Sequence, residues 1–99
     1  MAERVVITRD LMDGGRFRAA VPDVVVVRSG DSPELADATF VLLDPAAGVD
    51  PASVVRDGRD VIAYGAHVDE AALGAAIAAG CVDALPRSKV FRRAAKLLG

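Results

Sequence analysis

Five short apolar runs recur along the chain: RVVITR at 4–9, VVVVR at 24–28, FVLLD at 40–44, VIAY at 61–64 and VDAL at 82–85. They are rich in β-branched residues and mostly lack the in–out alternation of a strand with one wet face. Such runs belong to strands buried on both sides, as in a parallel sheet. The intervening segments, roughly 11 to 17 residues, are crossover lengths and too long for hairpins. Strand and helix therefore alternate five times, which predicts one doubly wound α/β domain over residues 1–99. The expected form is a three-layer α/β/α sandwich on a five-stranded parallel sheet of order 2-1-3-4-5.

The clearest helix is DEAALGAAIAAG at 69–80, with Asp69 as N-cap, Glu70 complementing the positive helix end and Gly80 as the stop. The last helix is expected to begin near Ser88 and to bury Val90, Phe91, Ala94, Ala95 and Leu98 on one face. Gly14 and Gly15 each cost about 1 kcal/mol inside a helix, so the first helix is expected to start late and be short. Segments 33–38 and 51–57 allow only one or two turns each, making helices 2 and 3 short.

Nineteen alanines and fifteen valines, no Trp and four aromatic rings describe a thin core of small aliphatic side chains. One cysteine, Cys81, and one histidine, His67, exclude an internal disulfide and a Cys/His zinc site, and fit a reducing, cytoplasmic setting. No apolar stretch reaches the roughly 18 residues of a membrane span. The net charge of −2 hides an asymmetry: residues 87–99 hold five basic side chains and no acid. With an acidic body and no aromatic platform, that basic face reads as a solvated helix surface, and nucleic acid is not the expected partner.

In an open parallel sheet the site lies beyond the carboxyl ends of the strands. Strand 1 ends in Arg9-Asp10, strand 3 in Asp44, strand 4 in Tyr64-Gly65-Ala66-His67 and strand 5 in Leu85-Pro86-Arg87-Ser88. Two carboxylates and an arginine are thus expected at one rim. Arg9 and Arg87 are expected to pair with Asp44 and Asp10 rather than to hold an anion. DGGRFR at 13–18 offers a weak anion-nest signal and lacks both G-x-G-x-x-G and a Walker lysine. Its plain reading is a helix-entry turn. His67 reads as a solvated loop residue and Cys81 as a small core residue.

From VVITRD through FVLLD, VIAYGAHVDEAALGAAIAAGCVDAL and PRS, the chain resembles the receiver domain of bacterial response regulators, a flavodoxin-like phosphoacceptor module. The resemblance implies Asp44 as phosphoacceptor, Asp10 as the second acid of a strand-1 pair, and Mg²⁺ held by Asp10 and Asp44. It also implies departures. The first acid is Arg9, the hydroxyl after strand 4 is Gly65, the lysine after strand 5 is Arg87 followed by Ser88, and the strand-5 aromatic is Ala84.

The expectation is a pseudo-receiver: a signalling or protein-interaction module without enzymatic activity, without a cofactor and independent of phosphorylation. Its expected partner is a protein or a second copy, met through the face of the fourth helix (69–80), the fifth strand and the fifth helix. Two alternatives stay open. One is a working phosphoacceptor in a two-component phosphorelay. The other is a small-ligand or nucleotide-binding domain using Arg9, Gly14, Gly15 and Arg87.

Overall fold

A computed structural model describes residues 3–66 and 70–99. Its five strands are β1 (Arg4–Ile7), β2 (Val25–Val27), β3 (Phe40–Leu43), β4 (Asp60–Gly65) and β5 (Asp83–Pro86). All pair in parallel in the order β2-β1-β3-β4-β5, as the apolar runs predict. The register sets Ile7 against Leu43, and Gly65 against Pro86. Helices α1 (Leu11–Ala20), α2 (Pro51–Val54), α3 (Glu70–Ala78), α4 (Arg87–Arg92) and α5 (Ala94–Leu98) fill the crossovers, with short 3₁₀ turns at Pro33–Leu35 and Pro45–Ala47.

The absence of alternation has the expected cause. Val5, Val6, Ile7, Val41, Leu42 and Leu43 are all fully buried, because both sheet faces are covered. Odd and even positions feed two different cores. Val5, Ile7, Val41 and Leu43 pack with Val54, Ala76 and Cys81 on the α2/α3 side. Val6 and Leu42 pack with Phe17, Tyr64, Val90, Ala94 and Leu98 on the α1/α4/α5 side. All four rings pack on that side, and three of them meet each other. Phe17 lies 4.7 Å from Phe91 and meets Tyr64 edge-on at 5.6 Å.

Two helices differ from expectation. Helix α1 starts at once and runs ten residues through both glycines. The Asp10 side chain accepts from the backbone N–H groups of Met12 and Asp13, and this cap together with the burial of Phe17 outweighs the glycine cost. The last helix begins at Arg87, with Pro86 rather than Ser88 as the flanking residue, and breaks at Arg93. The break turns Ala95 to solvent while Ala94 and Leu98 stay buried. Helix α3 ends as read: Gly80 takes a left-handed φ of 110°, and a Cβ there would sit 3.0 Å from Val55 Cγ1. The proposed cap Asp69 lies outside the described residues. None of the described helices is long and apolar enough to cross a membrane.

Loops on the α2 side are braced by a guanidinium. Arg59 donates to the carbonyls of Ala38 and Val54, at 2.9 and 2.8 Å, and to that of Leu35.

This packing predicts an asymmetric response along α1. Phe17→Ala should cost about 3–5 kcal/mol in urea unfolding, as for a large ring deleted from a filled core. Leu11→Ala, at a position 81% exposed, should change stability by less than about 0.5 kcal/mol.

Candidate functional site

The rim at the carboxyl ends of the strands carries a buried polar network whose first member is Asp44. Its residue is only 3% exposed, although it stands one position beyond β3. The chain turns there into the 3₁₀ turn, and Asp44 Oδ1 accepts from Ala46 N–H at 3.0 Å. Its other oxygen, Oδ2, accepts from the Thr8 hydroxyl at 2.9 Å. Since Ile7 pairs with Leu43, the β1-side residue level with Asp44 is Thr8, one position before Arg9. Thr8 Oγ1 in turn accepts from Asp10 N–H at 3.1 Å.

Asp13 is the second buried acid, 4% exposed on the first turn of α1. Its Oδ2 accepts from the Tyr64 hydroxyl at 3.1 Å and faces Arg87 Nε at 3.2 Å. The Arg87 contact is an ion pair without hydrogen-bond alignment, and the buried Nε has no hydrogen-bond partner among the described residues. Burial raises the Asp13 pKa above its ordinary value. Arg87 and the Tyr64 hydrogen bond pull it down, and the charges of Asp10 and Asp44 push it up. Tyr64 is raised far more strongly, chiefly by burial, so its phenol stays protonated and acts as a donor. The network joins α1, β4 and α4 across the sheet end.

The residues singled out from the sequence separate into groups. Asp44 and Arg87 line one cavity of about 130 Å³, together with Gly65 and with Leu73 of α3. A Cβ on Gly65 would meet only Leu73 Cδ2, at 3.9 Å, so the position has room for a side chain. Asp10 is exposed and spends its carboxylate on the α1 cap. The pairing expected of Arg9 with Asp44 or Asp10 is not formed. Arg9 follows inward-facing Thr8 and lies exposed near the end of β2. Arg87 pairs with Asp13 rather than with Asp10 or Asp44. His67 lies outside the described residues. Among the described residues, no group of three His, Cys, Asp or Glu side chains is placed to hold a metal ion. Cys81 is buried, and burial raises its thiol pKa.

Thr8 and Asp13 are the site residues that the strand-end reading missed, while Tyr64 was placed at the end of strand 4 without a role. The one tyrosine, closing a strand buried on both faces, was a usable signal, because a buried phenol requires an acceptor. Asp13 lies three residues after the N-cap, where an acid normally reaches back to the helix start. Here it turns inward instead.

This arrangement is the fold of CheY-like receiver domains. One solved structure that shares it is the receiver domain of NtrX from Brucella abortus, 15% identical, with 94% of this chain and 98% of that one covered and a TM-score of 0.64. Another is a CheY-like protein (tadZ) from Pseudomonas aeruginosa PAO1, 17% identical, with 95% and 99% covered and a TM-score of 0.66. No family model and no curated protein matches the chain.

The Asp13 environment predicts a pH effect of definite sign. A carboxyl whose pKa is raised by folding binds its proton more tightly in the folded state. Its contribution to stability is complete below the ordinary carboxylate value and is lost as pH rises through the folded one. Thermal melts should therefore show stability declining from about pH 4 upward through this group, and Asp13→Asn should remove that decline. A variant whose pH profile parallels the wild type would show that Asp13 does not titrate in this way.

Proposed function

We propose that the chain is an atypical receiver-like module for signalling or protein interaction, non-enzymatic, cytoplasmic, and with an output independent of phosphorylation at Asp44. The observation that carries this reading is the state of Asp44: buried, with Thr8 on one carboxylate oxygen and the Ala46 N–H on the other. Phosphoryl transfer to a carboxylate depends on positioned cations that offset the charge on the transferred group. Mg²⁺ takes near-octahedral oxygen ligands, commonly one or two carboxylates with water and phosphate. A hydroxyl stands level with Asp44, Asp10 caps a helix, and Asp13 is held by Tyr64 and Arg87. The residues present do not fit such an ion, and Gly65 offers the phosphoryl group no hydroxyl.

Incubation with acetyl phosphate and millimolar Mg²⁺ should leave the intact mass unchanged. A stoichiometric phosphoryl adduct that vanishes in Asp44→Asn would establish the working phosphoacceptor instead, with Arg87 neutralising a phosphoryl oxygen across the shared cavity.

The partner surface in this reading is the face made by α3, β5 and the last helical segment, α4 with α5. Ile77 and Val82 are 47% and 59% exposed on α3 and just before β5, beside the basic last segment. Sedimentation at high concentration should reveal self-association that Val82→Glu weakens at least about fivefold, since the change puts a charge into an apolar contact. Monomer alone at both low and high salt would remove the second-copy form of the proposal.

A further inference from the structure

Three arginines at the opposite half of the rim have no part in the Asp44 network. Arg9 follows β1, Arg28 follows β2, and Arg18 lies in the last turn of α1. All three are exposed, and all three line one small cavity of about 140 Å³. None has a hydrogen bond, ion pair or ring contact among the described residues. Five other guanidinium groups are engaged: Arg4, Arg56 and Arg59 on carbonyls, Arg16 on the Phe91 ring and Arg87 on Asp13. Arg92 and Arg93 on the last segment show no such contact among the described residues, but they line no cavity with the three.

The Arg18 side chain runs back along α1 toward the cavity. Arg18 Nη1 lies 3.4 Å from where a Cβ on Gly14 would stand, so the guanidinium folds back over the helix toward Gly14. That direction is the natural one for a long helical side chain, which points toward the N-terminus.

The nearby acids form no ion pair with the cluster among the described residues. Asp10, which also lines the small cavity, accepts from the N–H groups of Met12 and Asp13. The cavity opens beside a groove of about 450 Å³ that shares Arg9 and Arg28 and is lined further by Ser29, Val49 and Ser53. The two acids of that groove are engaged locally, Asp31 by the Ser29 hydroxyl and Asp50 by Ala52 N–H. Three free guanidinium groups therefore face a space that suits a tetrahedral dianion, next to a groove in the usual size range of small-ligand sites. Both lie beyond the carboxyl ends of parallel strands at the side where β1 and β2 meet, and planar guanidinium forks match phosphate oxygens in pairs.

The geometry points to a binding site for a small phosphate monoester, its phosphoryl group held by Arg9, Arg18 and Arg28 and its organic body lying in the groove by Ser29 and Ser53. The site needs nothing from Asp44 and stands whether or not that residue is ever phosphorylated.

Calorimetric titration of the full chain tests it, with inorganic phosphate, ribose 5-phosphate, AMP and adenosine as probes. At least one monoester should bind saturably and more tightly than inorganic phosphate, and adenosine should not bind. Arg9→Gln, Arg18→Gln and Arg28→Gln should each weaken the monoester about 10- to 100-fold, the range for one charge-assisted hydrogen bond. All three side chains are exposed, so thermal melts should stay at the wild-type value. The pair Arg92→Gln and Arg93→Gln, exposed on the last segment, should leave affinity unchanged. The proposal falls if neither monoester binds saturably at millimolar concentration or if inorganic phosphate binds as tightly. It also falls if adenosine binds as well as AMP, or if the Arg92/Arg93 pair weakens binding as much as the three single changes.

Discussion

The hydrogen bond from Thr8 to Asp44 is the contact on which the polar end of this molecule depends. An ionised carboxylate out of water is costly unless its oxygens find donors. Thr8 supplies one because the β1–β3 register sets it level with Asp44. The same hydroxyl accepts from Asp10 N–H, which fixes the residue that caps α1. With the helix start fixed, Asp13 is delivered to Tyr64 and Arg87, and Phe17 to the ring cluster. A single hydroxyl thus couples strand register, helix entry and the buried acid of the opposite layer.

The two sides of the sheet are built from different materials. The α2/α3 side is aliphatic, with Val, Leu, Ala and Cys81, and its loops are tied by Arg59 to backbone carbonyls. The α1/α4/α5 side holds Phe17, Tyr64 and Phe91, with the Arg16 guanidinium 3.9 Å above the Phe91 ring centre. Rings bury more area per residue and impose more geometry than alanines do. The phenol that reaches Asp13 belongs to this stiffer side, so the polar network is set by packing as well as by charge.

The strand runs were readable because burial on both faces leaves a continuous apolar signature, and crossover spacing then restricts the topology to few choices. Helix limits were less readable. The glycines of α1 argue against a helix locally, and only the Asp10 cap and the burial of Phe17 reverse that. The break at Arg93 depends on how Ala94 and Leu98 seat against the sheet, which no local pattern records. At the rim, Asp44 and Arg87 were legible as strand-end residues and share a cavity. Asp13 was not, because its importance arises from a tyrosine fifty-one positions away. Arg9 was visible as a rim cation, but its distance from Asp44 follows from a one-residue register that sequence alone leaves free.

The borders of the sheet carry a further consequence. One border is β2, a strand of only three residues, and the other is β5, which ends on Pro86 and so lacks a backbone donor at that point. Short edges and edge prolines are poor templates for a foreign strand. Two molecules of this protein therefore have little means of fusing their sheets into a continuous ribbon. Any assembly must be built by laying helical surfaces together, and fibrils that grow by strand addition would first have to unravel a border.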